Sequence, residues 1–440
     1  MTMSEPNRAE AKGDNDERDQ FIPVRKADLL DALVDHGPLG SEEERESFRQ
    51  VCRFLAAIYH FEYFDELERL RHDYYYFNPE LDPHAHFEPA ALDRAYADLI
   101  ESFEKVLTGA NFVEISHAEV AAAHRNRVMV RVDIETPLDD YRDVRFFRRG
   151  HHMETIEISE WYGLRKRSIE VLVYDDVILL VAMKPERELA SKRARKRLRA
   201  RKIPAGSVLI KYFRTIAGTD LNALFPNVRV VMGTFDKLFL SVPALAGAIP
   251  ILFNLASTVT VLFLVVGFYL GVVAAVEHDQ MKSAFAAMSG LVALVGFIMR
   301  QWLRYQRQSL KYQKELTDNI YFRNVNNNAG IFDYLIGAAE EQECKEAFLA
   351  YYFLRTAKAP PTQAELDLRI EAWLKEQFGL DIDFEVADAL AKLERLDLLR
   401  RDGGERLSVP PPEEALARLD ELWDGFFQFN VASPATAAEA

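Results

Sequence analysis

With 440 residues and 49% hydrophobic content, the chain has the length and apolar mass for more than one packed core. Its formal net charge of −15, from 69 acidic and 54 basic residues, argues against a phosphate backbone as its general partner. Two cysteines, Cys52 and Cys344, are too few for a disulfide framework or a cysteine zinc site and read as buried thiols.

Residues 1–20 are polar and acidic, without the apolar core of a secretory signal, and are expected to be a disordered tail. A first helix is predicted from Ala27 to Val34. Ser41 with Glu44 three residues on makes a capping box, and the helix behind it sets Phe48, Val51, Cys52, Leu55 and Ile58 on one face. A further amphipathic helix is predicted over Pro89 to Leu107, stopping at Gly109. The aromatic run Tyr74 to Phe77 reads as core packing at a helix end rather than as a stacking platform.

The period then changes to two, with Val128, Val130, Val132 and Ile134 alternating with polar residues. Phe146 to Ile158 continues in extended form. Ile169 to Val173 and Val177 to Ala182 flank Tyr174-Asp175-Asp176, which reads as the turn of a hairpin. Val208 to Phe213 and Val228 to Met232 supply two more strands. Between them, residues 191–202 carry eight bases in twelve: Lys192, Arg193, Arg195, Lys196, Arg197, Arg199, Arg201 and Lys202. Contact with anionic lipid headgroups is the preferred reading, over a solvated helix and over nucleic acid.

Leu238 to Val276 contains no Asp, Glu, Lys or Arg in 39 residues, and Ser283 to Met299 none in 17. A hydrocarbon core about 30 Å thick needs roughly 20 apolar residues of helix. The expectation is a transmembrane hairpin over 238–300, with spans at about 251–276 and 283–299. Leu238 to Pro250 is left open as interfacial, re-entrant or part of the first span. Arg300, Arg304, Arg307 and Lys311 behind the second span, with Lys237 before the first, assign both flanks to the cytoplasmic side. The chain would then be integral to a bacterial plasma (inner) membrane, with both termini cytoplasmic and the lipid bilayer as its first partner.

Behind this region the charge balance is −12, 25 acidic residues against 13 basic from Tyr312 to Ala440. Phe332 to Leu354 reads as a long helix in which Glu340, Glu341, Glu343 and Glu346 with Lys345 form a solvated or ion-paired face. Thr362 with Glu365 caps another helix and Phe384 to Leu396 forms the next. Two short strands around Asp402-Gly403-Gly404 complete a winged-helix-like order. Its acidic second helix points to a protein partner and away from nucleic acid, with Trp373 and Trp423 as candidate partner-surface residues.

The fold class predicted is therefore an α+β membrane protein. A helical, then β-rich, N-terminal cytoplasmic domain (21–237) precedes the two-helix transmembrane hairpin (238–300). A helical, winged-helix-like C-terminal domain (301–430) follows, with a disordered tail at 431–440.

Three stretches carry a resemblance. They are Phe21-Ile22-Pro23-Val24-Arg25-Lys26-Ala27-Asp28-Leu29; Ile203 to Arg214 leading into Asp220-Leu221 and Leu224-Phe225-Pro226; and Ala339 to Ala347, followed by Asp388-Ala389-Leu390 and Lys392-Leu393. In these the chain resembles the transmembrane protein 143-like family, which carries the domain of unknown function 3754. It departs from that pattern at Ala217, where proline is usual, and at Asn222, where an acidic residue is usual. The resemblance implies the two-span topology and no activity.

No P-loop, dinucleotide fingerprint, His-Glu-x-x-His or Gly-x-Ser-x-Gly sequence occurs. His84 with His86 and the pair His151-His152 are the only histidine groupings, fewer ligands than a zinc site needs. No catalytic, cofactor-binding or metal-ligating residue is assigned and no cofactor is expected. The function read from the sequence is a membrane-anchored binding or scaffold protein. The alternatives are an enzyme on a lipid or membrane-near substrate and, for a homo-oligomer, a channel or transporter.

Overall fold

A computed structural model describes residues 18–35, 39–81, 88–116, 118–120, 133–135, 138–160, 165–189, 203–226, 229–231, 320–402 and 405–426. It also describes Arg195 and, between 232 and 319, residues 263, 266–271, 282, 289, 292, 295–307, 310, 311 and 314. The chain divides into two units, one of residues 1–119, 139–218 and 324–440, the other of 120–138 and 219–323.

Two long strands form the backbone of the first unit. Strand β3 (Tyr141–Glu160) pairs antiparallel with β4 (Arg165–Met183) along nearly its full length. Strand β1 (Val113–Glu114) lies on the outer side of β3. Strands β5 (Val208–Ala217) and β7 (Asn324–Asn327) extend the other side, giving the order β1-β3-β4-β5-β7. The run Val177 to Met183 is apolar at every position and buried at every position, as a strand covered on both faces requires. In the second unit β2 (Asp133–Glu135) pairs antiparallel with β6 (Arg229–Val231).

Helices of the first unit pack around one central member, α4 (Gly330–Arg355). Its stretch Phe348 to Leu354 is apolar around the whole circumference and buried throughout. One core joins α1 (Lys26–Asp35), α2 (Glu42–Tyr75) and α4 to α5 (Gln363–Phe378), α6 (Val386–Arg395) and α7 (Pro412–Gly425). The other joins α2, α3 (Pro89–Gly109) and the first turns of α4 to the sheet. Each large side chain taken from water there contributes about 1.5–3 kcal/mol.

Local chemistry sets the helix ends. Ser41 accepts from the Glu44 amide at 3.1 Å, while the Glu44 carboxylate takes the Gly40 amide at 3.2 Å. At α5 the reciprocal capping box is complete between Thr362 and Glu365, and Gly379 closes the helix in the left-handed region at φ 69°. Strands β8 (Arg400–Arg401) and β9 (Leu407–Ser408) form the small wing-like hairpin between α6 and α7. Both cysteines are buried in the first core, where burial pushes the Cys344 thiol up to about 12.

Two expectations are corrected and a third is narrowed. The transmembrane hairpin does not stand: among the described residues no helix is long and apolar enough to cross a membrane. Within the expected first span, the helix described from Val266 turns at Leu270, and Gly271 takes a left-handed φ of 72°. The helical run 295–307 continues past the end of the expected second span into Arg300, Arg304 and Arg307. Most of 238–299 lies outside the described residues. The membrane-protein fold class falls with the hairpin, as do the integral inner-membrane location and the cytoplasmic orientation of both termini.

The second correction concerns Tyr174-Asp175-Asp176, which is not a turn but the middle of β4. The third, a solvated or ion-paired charged face on α4, narrows to buried ion pairs at Lys345 and Glu346, at most 3% exposed, while Glu341 keeps 39% exposure.

Candidate functional site

Strand register builds the site. Arg149 of β3 stands opposite Asp176 of β4, which stands opposite Arg214 of β5, so one carboxylate lies between two guanidinium groups on one face of the sheet. Tyr212, two residues before Arg214, shares that face. Arg149 donates to Asp176 Oδ2 from Nε at 3.0 Å and Nη2 at 2.6 Å, and Tyr212 Oη donates to Asp176 Oδ1 at 2.5 Å. Tyr334 of α4 covers the row, its ring stacked on Tyr212 with centroids 4.6 Å apart.

The proton inventory of this network closes. The Tyr212 hydroxyl spends its proton on Asp176, so Tyr334, 2.9 Å away, supplies its own to Tyr212. Tyr334 Oη then accepts from Arg149 Nη2 at 3.1 Å and from Arg214 Nη2 at 3.0 Å, while Arg214 Nε donates to Tyr212 Oη at 2.8 Å. Burial, then the Asp176 charge, pushes the Tyr212 phenol above its ordinary range, keeping it a neutral donor.

A cavity of about 770 Å³ opens beside this network, walled by the sheet, by α4 and by the strap Phe21 to Arg25. Along α4 the lining residues are Asp333, Tyr334, Gly337, Ala338, Glu341, Gln342 and Lys345, spaced as one helix face. Lys345 Nζ donates to the carbonyls of Ile22 at 2.7 Å and Val24 at 3.0 Å. Glu341 accepts from the Lys26 amide at 2.9 Å, and Gln342 Nε2 donates to Ile22 at 3.2 Å. The strap is thus held by side chains of α4. Phe21 also lies under the Arg149 guanidinium at 4.3 Å, with Phe112 at 4.6 Å.

Charge in the cavity is layered by depth. Arg149, Lys345 and Asp176 are buried, whereas Glu341, Asp175, Asp333 and Arg25 line the more exposed parts of the wall. Burial pulls the Lys345 ammonium down to about 8, with Glu341 opposing and the Arg149 charge assisting. Gln342 Oε1 is buried and has no hydrogen-bond partner among the described residues.

On the opposite flank of α4, Lys392 of α6 sits among Glu343 at 3.0 Å, Asp388 at 2.7 Å and Glu346. Burial is the largest influence on Glu346 and raises it to about 7 against the pull of Lys392. Arg395 pairs with Glu62 of α2, so α6 is fastened to the body of the first unit by charge as well as by its apolar face.

Of the residues singled out from sequence, the polybasic Lys192, Arg193, Lys196, Arg197, Arg199, Arg201 and Lys202 lie outside the described residues, and Arg195 is helical and exposed. His84 and His86 also lie outside. His152 pairs with Asp175 at 2.8 Å, and His151 with Asp19 at 3.4 Å. Trp373 packs edge-on against Phe353 and Phe378. Trp423 packs against Phe54, Phe61 and Phe426 and lines a groove of about 610 Å³ between α2 and α7. Both are half-buried on the first core. Arg149, Asp176 and Tyr334 were not assigned from sequence; an acidic pair inside an otherwise β-branched run was their only trace.

The stretches that carried the resemblance meet here: Phe21 to Arg25 forms the strap, Tyr212 and Arg214 the sheet wall, Glu341 to Lys345 the helix wall. No solved structure matches this chain. Residues 174–330, from the middle of β4 to the first residue of α4, match the family described as a protein of unknown function (DUF3754), a match that includes Asp176, Tyr212 and Arg214 and stops short of Tyr334 and Lys345.

Proposed function

We propose that this is a binding protein whose working site is the cavity between strap, sheet and α4, and that it takes a small polar ligand there without covalent chemistry. The observation that carries this reading is the cavity's polar wall: a half-exposed Arg214 held beside a fixed Arg–Asp–Tyr network, with the buried Lys345 on the facing helix. Against an enzymatic reading, Lys345, the one lining amine with a depressed pKa among the described residues, already gives protons to two carbonyls.

The test is a thermal-shift survey of the full chain against small polar compounds at 1–5 mM. A ligand that binds the folded form well below that concentration raises the midpoint by an amount set by RT ln(1 + [L]/Kd). Gly337 lines the cavity and has nothing within 4 Å of where a Cβ would stand, so Gly337→Leu should fill it and abolish the shift. Persistence of the shift in that variant would exclude the cavity.

For the C-terminal module a protein partner remains a second proposal, favoured by the groove that Trp423 lines with Phe54, Ala57 and Leu416. Retention of all partners by a Leu416→Asp variant in a pull-down would remove it. We also infer kinship with the transmembrane protein 143-like family, supported by the match to the domain of unknown function 3754 and by the resemblance carried in the strap and in α4.

A further inference from the structure

We propose that the ligand is recognised through a small oxyanion, a phosphate or a carboxylate, that docks on Arg214. This rests on the cavity being the ligand site and names the chemistry it selects.

Three observations lead there. Arg149 and Arg214 share the single carboxylate of Asp176, so this cluster carries one positive charge more than it neutralises. The two guanidinium groups are not equivalent. Arg149 is 4% exposed and held by Asp176, Ala110 and Tyr334, whereas Arg214 is 55% exposed. Its Nε and Nη2 are fixed by Tyr212 and Tyr334, and no hydrogen bond is made by Nη1 among the described residues. A guanidinium locked along one edge and free on the other offers an oriented donor without the side-chain entropy that an unrestrained arginine loses on binding.

Secondly, the acidic residues of the wall are already engaged. Asp333 pairs with Arg71 at 2.9 Å, Asp175 with His152, and Glu341 with the Lys26 amide. They do not compete for Arg214.

The third observation is the backbone beside it. Thr215, also on the cavity wall, has φ 56°, a left-handed conformation that a β-branched residue adopts only under constraint. Gly150 has φ 68° in the matching interval of β3, since Arg149, Asp176 and Arg214 pair on one side of it and His151, Tyr174 and Ile216 on the other. The strand pairing skips Gly150, Asp175 and Thr215 along this line, at the edge of the Arg–Asp–Arg row. A bidentate oxyanion–arginine pair is among the stronger polar contacts available to a binding site.

The experiment is calorimetric titration of the full chain with inorganic phosphate, methyl phosphate and acetate at constant ionic strength in chloride. Wild type, Arg214→Gln, Tyr334→Phe and Gly337→Leu are compared, each checked for native circular dichroism. The expected result is saturable binding of phosphate or acetate, weakened at least tenfold by Arg214→Gln, less by Tyr334→Phe, and lost in Gly337→Leu. Preference for the two phosphates over acetate assigns a phosphoryl ligand; the reverse assigns a carboxylate. Binding unaffected by Arg214→Gln but lost in Gly337→Leu overturns the oxyanion role and leaves the cavity standing. So does an absence of anion binding when an uncharged compound shifts the melting midpoint. Anion binding that survives both substitutions overturns the inference and the cavity together.

Discussion

Lys392 Nζ lies 3.0 Å from Glu343 Oε2 in the interior between α6 and α4, and the same ammonium reaches Glu346 and Asp388. One buried cation therefore balances two buried or nearly buried carboxylates at the joint between the C-terminal helices and the central helix. Removing it leaves Glu343 and Glu346 facing each other without compensation. Lys392→Met should destabilise the fold by about 3–5 kcal/mol, the usual cost of orphaning a buried charge. Chemical denaturation of variant and wild type measures this, and a change below about 1 kcal/mol would show the cluster to be solvated.

The same joint has a pH signature. Because burial raises Glu346 to about 7 from 4.5, the folded chain keeps that proton where the unfolded chain has lost it. Its contribution to stability is full below pH 4.5 and is lost as pH rises through 7. Glu346→Gln is neutral throughout and lacks this slope. Wild-type stability minus variant stability should therefore fall by about 1–3 kcal/mol between pH 4.5 and 7. A flat difference across that window would contradict the raised value.

Why this interior was not visible in the sequence can be argued from single residues. The helices announced themselves: Phe48, Val51, Cys52, Leu55 and Ile58 recur at helical spacing and are all buried, and the Thr362–Glu365 box caps α5 as read. The α4 segment also read as a helix, but whether its Glu and Lys residues are solvated or ion-paired stays open unless the partners are known. Those partners, Lys392 and the Ile22 carbonyl, come from 46 and 323 residues away. Asp175-Asp176 read as a turn because carboxylates in strands are uncommon. Asp176 is tolerated there only because Arg149, 27 residues earlier, and Tyr212, 36 later, meet it across the register. In the other direction, local hydropathy over-read the 238–299 region, where the left-handed Gly271 interrupts the expected first span and no helix of the described residues is long and apolar enough to cross a membrane.

Gly337 yields a stability prediction independent of any ligand. A glycine in a helix interior costs about 0.5–1 kcal/mol relative to alanine through backbone entropy, and here a Cβ meets nothing within 4 Å. Gly337→Ala should raise stability by that amount, read as an increase in denaturation midpoint at unchanged slope. A loss of stability would mean that the cavity is closed in solution.

The last prediction compares two glycines with nearly the same backbone. Gly150 has φ 68° and Gly379 φ 69°, so an alanine at either position carries about the same conformational cost, on the order of 1 kcal/mol. Their surroundings differ. Around Gly379, at the C-terminus of α5, a Cβ meets open space, whereas at Gly150 it collides with the Asp175 side chain, whose own Cβ lies only 3.0 Å away. Asp175 would have to swing aside, giving up its contact with His152 and disturbing the strand that carries Asp176. Gly379→Ala should therefore cost about 1 kcal/mol, and Gly150→Ala roughly 2–4 kcal/mol. Gly150→Ala should also weaken binding in the cavity, through displacement of the Arg–Asp–Arg row, while Gly379→Ala leaves binding untouched. Equal losses of stability in the two variants would show that the backbone at Gly150 relaxes freely and does not hold that row in place.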